Sequence, residues 1–208
     1  PTHSLSPFTL SSSPVHPECA TMPAADTALL LIDVQQSFTV RPYWDAQDVP
    51  AFLAACNTLI AGCLKRHVPI VRVFHVEDDG AFALASGLVR PLDGLLAFAE
   101  QARIDKHVHN AFTDTGLDRW LRGRGIRRVL IAGIRSEQCC ETSARVASDL
   151  GYEVDFVSPA TLTFAMRHPL SGAHYSAADI RARTELVLAE RFAQVCSVEQ
   201  ALARLDAD

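Results

Sequence analysis

The chain has 208 residues, enough to bury one substantial core and few for two domains. Its 49% hydrophobic and 21% charged residues are ordinary for a globular protein, and a net charge of −5 with a pI near 5.9 leaves no basic face for nucleic acid. No apolar run reaches membrane-spanning length, since the longest, Ala28 to Ile32, stops at Asp33.

Residues 1–26 are rich in Ser, Pro and Thr and read as a flexible extension, a leader or a segment ordered only against another subunit. From Thr27 onward the pattern alternates short apolar strands with amphipathic helices. The strand candidates are Ala28–Ile32, Ile70–Phe74, Val129–Ala132 and Glu153–Val157. All four lack polar alternation, as strands buried on both faces of a parallel sheet do. The first predicted helix has Asp48 as its cap and Pro50 in its first turn. Phe52, Cys56, Leu59, Ile60 and Cys63 recur along it at helical spacing before Val68-Pro69 closes it. Further helices are expected from Asp114 to Leu121, from Ser136 to near Gly151, from Ser176, where Asp179 completes a capping box, and from Val198 to Leu205. Residues 27–208 therefore read as a single doubly wound three-layer α/β/α domain with a mostly parallel sheet. In such sheets ligands sit beyond the carboxyl ends of the strands, which singles out Asp33, His75 and the segment Gly133–Cys139.

Six cysteines form no CxxC and no zinc spacing, and nothing suggests a disulfide framework. Cys56 and Cys63 fall on a helix's apolar stripe and read as core thiols. Cys139 stands between a buried strand and a helix. With Ser136 as N-cap it occupies the first helical turn, where unpaired N–H groups favour a thiolate and can hold an oxyanion. A small buried apolar role is the other reading. Cys140, rotated by about 100° around the helix, should face the packing side. Asp33 ends an apolar run, where partial desolvation raises a carboxylate toward a useful base; capping of the next loop is the alternative. Lys106 either holds Asp33 ionised or is a surface lysine.

Three segments resemble the isochorismatase-like cysteine hydrolases, the family of nicotinamidases and N-carbamoylsarcosine amidohydrolases. Its motif Asp-x-Gln-x-x-Phe is matched by Asp33-Val34-Gln35-Gln36-Ser37-Phe38, and its lysine motif by Lys106 with Asn110-Ala111-Phe112. Its nucleophile motif is matched from Gly133 to Arg145, with Ser136 and Ser143 for threonine and Cys140 for valine. The resemblance implies a catalytic group of Asp33, Lys106 and Cys139, in which Asp33 takes the thiol proton and Cys139 attacks a carbonyl carbon to form a thioester. It also implies a cis peptide at Ile134–Arg135, with the backbone N–H groups of Arg135 and Cys139 as oxyanion donors. The expected pocket walls are Phe38, Tyr43, Trp44, His75, Phe112, Arg135 and Phe164, with Arg135 able to pair a substrate carboxylate.

Nicotinamidases of this family add a metal held by an Asp-x-His pair and further histidines, and the stretch from Thr39 to Asp48 contains no histidine. No metal and no cofactor is therefore expected, and the cluster of His75, Glu77 and Asp79 reads as a hydrogen-bonded rim. The function implied is hydrolysis of a C–N bond in a small amide, ureide or carbamoyl compound, by a cytoplasmic dimer or tetramer acting on a small molecule, with neither nucleic acid nor membrane as partner. The alternatives are a vinyl-ether hydrolase, which would rely on the acid and lysine rather than a thiol, and a non-catalytic α/β binder. A nucleotide-binding domain would need a GxGxxG or P-loop after the first strand, and neither is present.

Overall fold

The computed structural model describes residues 26–206, so the expected extension, Asp26 apart, lies outside the described residues. Among the described residues eight strands and five α-helices follow in chain order: β1 (Thr27–Ile32), α1 (Val49–Lys65), β2 (Ile70–His75), β3 (Ala102–Lys106), α2 (Leu117–Arg122), β4 (Arg128–Ile134), α3 (Glu141–Asp149), β5 (Glu153–Leu162), β6 (Met166–Arg167), β7 (His174–Tyr175), α4 (Ala177–Leu188), β8 (Gln194–Cys196) and α5 (Val198–Leu205). A π-helical turn, Ser136–Cys140, leads directly into α3. The main sheet is parallel throughout, in the order β3-β2-β1-β4-β5-β8, and β6 and β7 form a separate hairpin.

Alternation along β1 shows how both faces are filled. Leu29 and Leu31 pack into a core with Phe52, Cys56, Leu59 and Ile60 of α1 and Ala201 of α5. Ala28, Leu30 and Ile32 pack into a second core with Leu117 and Leu121 of α2 and Ala144 and Ala147 of α3. Successive side chains of a strand point to opposite faces, so one continuous apolar run serves two helical layers. None of the helices among the described residues is long and apolar enough to cross a membrane.

Several local expectations are corrected. Asp48 occupies the N-cap position of α1 but makes no cap hydrogen bond, because its backbone is αR (φ −89°, ψ −5°) rather than extended; its carboxylate lies 3.8 Å from Arg181. Ser136 is not the N-cap before Cys139. Arg135 holds that position, and the Ser136 hydroxyl donates instead to Thr161 Oγ1 at 2.7 Å. The helix expected from Asp114 starts only at Leu117, after Asp114 itself takes φ +55°. β5 runs five residues past the expected end at Val157. Its register against β4 shifts between the pairs Ile131–Phe156 and Gly133–Thr161, an interval that contains Pro159, which has no N–H for the ladder.

The sheet reverses its direction of travel between β1 and β4: β2 and β3 build outward on one side, β5 and β8 on the other. That switch point opens a crevice at the carboxyl ends of two adjacent central strands. Gly133 permits the close approach there. At φ +143° it faces Ile32, and a Cβ on it would lie 1.9 Å from the Ile32 carbonyl oxygen. Gly133→Ala is therefore expected to yield no soluble folded protein. Gly151→Ala, at φ +90° with open space around it, should cost about 1–2 kcal/mol in urea denaturation. Equal stability of the two variants would refute the close-approach argument.

Candidate active site

Asp33 is the first residue beyond β1 and takes φ +53°, a left-handed conformation that aspartate tolerates better than most residues. Its N–H donates to Val73 C=O at 2.8 Å and its own C=O accepts from Gln35 N–H at 2.8 Å, so the turn is fixed from both sides. Lys106 is the last residue of β3 and lies beside His75, the last of β2, in the parallel register. Cys139 lies in the π-helical turn that follows β4. Three strand ends thus bring together groups distant in the chain.

Lys106 Nζ lies 2.8 Å from Asp33 Oδ2, and both side chains are 0% exposed. The same ammonium lies 3.1 Å from His75 Nδ1, 3.1 Å from the Val108 carbonyl and 3.4 Å from Cys139 Sγ. An ammonium has three protons and here meets four acceptors, with the sulfur the most distant of them. His75 must accept through Nδ1, so its Nε2 carries the proton and faces Glu77 Oε1 at 3.3 Å. Neither Asp33 oxygen receives a hydrogen bond of regular geometry; the carboxylate is held by charge.

Burial governs the protonation of this group. Desolvation pushes Asp33 above the ordinary carboxylate value of 3.8, offset in part by the Lys106 ammonium and the Cys139 thiol. Burial works to lower Lys106, but the Asp33 carboxylate and the Cys139 sulfur outweigh it and hold the pKa above 10.5. His75 is lowered by burial and by Lys106, and is neutral at neutral pH. The helix-start argument for a Cys139 thiolate is overturned. Cys139 is 7% exposed, and desolvation followed by the Asp33 carboxylate drives its pKa up, so the resting group is a thiol. Cys140, fully buried, is also raised by desolvation and faces the packing side as its helical phase requires.

Aromatic side chains pack beside His75 and beside Arg135. Phe82 packs edge-on against both His75 and Phe38, at 5.6 and 5.0 Å between ring centroids. Tyr43 and Trp44 both meet Phe164, at 5.5 and 5.4 Å. Phe112 lies in the core on the α2–α3 side, the same cluster that contains Cys139, and is stacked on Tyr152 at 6.0 Å. Arg135, expected to offer its guanidinium to a substrate carboxylate, is already paired: its Nη2 lies 2.8 Å from Glu137 Oε1. The Ile134–Arg135 peptide bond is cis. Among the described residues no three His, Cys, Asp or Glu side chains are grouped closely enough to hold a metal ion.

Sequence reasoning gave no role to Gln35, although it is part of a quoted motif. Its amide accepts from His75 N–H at 2.9 Å and donates to His75 C=O at 3.0 Å, and so extends β2's hydrogen bonding onto the loop after β1. Glu137 and Phe82 were also missed, because their contacts arise only in the folded chain.

The family model for the isochorismatase domain matches residues 27–200. The isochorismatase family protein YrdC of Bacillus subtilis is 28% identical over 182 residues, covering 83% of this chain and 92% of that one. Nicotinamidase 3 of Arabidopsis thaliana is 32% identical over 153 residues, 66% of this chain and 73% of that protein. Among solved structures, an isochorismatase from Pseudomonas putida superposes with a TM-score of 0.77 at 25% identity, covering 85% of this chain and 90% of the other. A protein of the isochorismatase family from Chromobacterium violaceum reaches 0.80 at 26% identity over 89% and 96%. A doubly wound parallel sheet with this crevice, matched along most of its length in sequence and in structure, makes the chain a hydrolase of the isochorismatase family.

Proposed function

We propose that the protein is a cysteine-dependent hydrolase that cleaves a C–N bond of a small amide, ureide or carbamoyl compound. The observation that carries the reading is the Lys106 ammonium standing 2.8 Å from the Asp33 carboxylate and 3.4 Å from the Cys139 sulfur. Relatives named nicotinamidase and streptothricin hydrolase agree with it.

Because the resting sulfur is a thiol, attack requires its proton to leave as the S–C bond forms. Asp33, with its pKa raised toward that of a useful base, is the acceptor. The tetrahedral oxyanion is assigned to the backbone N–H groups of Arg135 and Cys139. The neighbouring N–H groups of Gln138 and Cys140 are committed to the Arg135 carbonyl at 3.2 Å each. As the C–N bond breaks, protonated Asp33 gives its proton to the departing nitrogen, which leaves as ammonia or an amine. Water, deprotonated by Asp33, then attacks the thioester. The carboxylic or carbamic acid is released and the sulfur recovers a proton. Throughout, Lys106 balances the charge on Asp33 and draws the ionising sulfur toward its ammonium.

The test is an ammonia-release assay over small amides and ureides, with wild type and Cys139→Ala compared. Turnover that survives in the alanine variant would replace this reading with ether cleavage by the acid and lysine. The pH dependence follows from the site. Asp33 must be ionised to accept the proton, and its pKa is raised, so kcat/KM should fall on acidification at a pH above the ordinary carboxylate value. A profile flat down to pH 3.8 would refute Asp33 as the proton acceptor.

A further inference from the structure

The pair formed by Arg135 and Glu137 is built unlike a surface ion pair. Both side chains are 9% exposed. The guanidinium carbon lies 4.7 Å from the Tyr43 ring centroid and 5.6 Å from that of Phe164, so its plane is held by two aromatic faces. Glu137 is fixed at its other end, where Oε2 accepts from Thr163 Oγ1 at 2.6 Å. Arg135 immediately follows β4 and Glu137 stands two residues before Cys139, so the pair is carried by the same short segment that positions the sulfur.

We propose that Glu137 sets the charge specificity of the Cys139 site: by neutralising Arg135 it makes the cleft accept uncharged acyl groups and reject carboxylate-bearing ones. This proposal gives the substrate class of the hydrolase reading above and rests on it for its biological meaning. An unpaired guanidinium on that segment would attract a carboxylate through two parallel hydrogen bonds. With Glu137 in place the attraction is cancelled, and an incoming carboxylate meets a like charge in a poorly hydrated cleft. Burying a charge pair carries a desolvation cost that an apolar pair would avoid, and a gain in specificity is a reason to keep it. The other charged groups on the surrounding segments also cancel or are screened. Asp33 and Lys106 form a neutral pair, and His75 is uncharged beside them. Glu77 sits half-exposed behind His75, and Glu141 is bound by Arg145 and Arg183. Arg41 lies over the Tyr43 and Phe82 rings with its side chain in solvent. Salt screens it, and it is common to every variant compared below.

Iodoacetamide and iodoacetate are a matched neutral and anionic pair of thiol reagents, so the proposal can be read at Cys139 without knowing the substrate. The rate of modification of Cys139 by each, followed by mass spectrometry, gives a ratio for the full chain. Wild type should favour the amide. Glu137→Gln keeps the shape of the side chain, with its carbonyl oxygen able to face Arg135 and its amide able to donate to Thr163 Oγ1, but removes the negative charge, and should shift the ratio toward iodoacetate by about tenfold, the effect of one unit charge a few ångströms away. Arg135→Gln should shift it the opposite way, and the double variant should return it close to wild type. A ratio that stays constant across these proteins, or a Cys139 that neither reagent reaches, overturns the proposal. Failure of the hydrolase reading has a separate signature, namely turnover that persists in Cys139→Ala while the alkylation ratios still move as stated.

Discussion

Cys139→Ala is expected to reduce kcat/KM by roughly 10³-fold or more while leaving the fold intact, because a covalent route has no step that proceeds without its nucleophile. Cys140 offers no substitute. It is fully buried on the packing side of the turn, and desolvation holds its thiol well away from ionisation. The variant should cost little stability, about 1 kcal/mol, since the exchange removes a single sulfur from a nearly buried site. Cys139→Ser is a sharper form of the same test. A hydroxyl is a far weaker acid than a thiol, and Asp33 would have to remove a much less acidic proton, so the serine variant should be nearly as inactive as alanine. Retention of more than about a tenth of wild-type activity in either variant would be incompatible with a thioester.

Asp33→Asn should damage both activity and stability, and the two effects can be separated. The substitution removes the proton acceptor, and it also leaves the Lys106 ammonium buried at 0% exposure without its counter-charge. Removing one partner of a buried pair costs about 3–5 kcal/mol, whereas replacing both by apolar or neutral groups is often close to neutral. The double variant Asp33→Asn/Lys106→Met should therefore recover most of the lost stability in urea denaturation while remaining inactive. The pH dependence of stability supplies the sign. In wild type Lys106 has a raised pKa, so its contribution is fully present below 10.5 and fades only as the pH rises through the folded value. In Asp33→Asn burial acts without the opposing carboxylate. The folded pKa then falls below that of the unfolded chain, and stability should increase as the pH rises toward 10.5. A single variant as stable as wild type, with no such pH dependence, would show that the pair is not desolvated as described.

The central strands were legible because of their composition. Ala28–Ile32 and Val129–Ala132 are apolar runs that lie within β1 and β4 and are buried on both faces, and strands of that kind form the middle of a parallel sheet. The peripheral strands were not. Ala102–Lys106 alternates charged residues with Ala and Ile and is paired on one side only, and Gln194–Cys196 is three residues long. Both were passed over because their strand state comes from a neighbour's unpaired backbone rather than from their own pattern. Helical spacing on α1 was readable residue by residue, since Phe52, Cys56, Leu59, Ile60 and Cys63 are the five buried positions observed.

The sequence by itself determined the alternation of elements, the rule that functional groups follow strand ends, and the three segments carrying Asp33, Lys106 and Cys139. Local spacing and hydrophobic period depend only on neighbours along the chain, so they survive in a one-dimensional reading. The tertiary structure alone decided the chemical state of those groups. Desolvation depends on what surrounds an atom in three dimensions, and it reverses the expected thiolate at Cys139. It likewise took the approach of Tyr43, Phe164 and Thr163 to show that Arg135 is matched by Glu137, two residues away in a turn where such side chains need not meet.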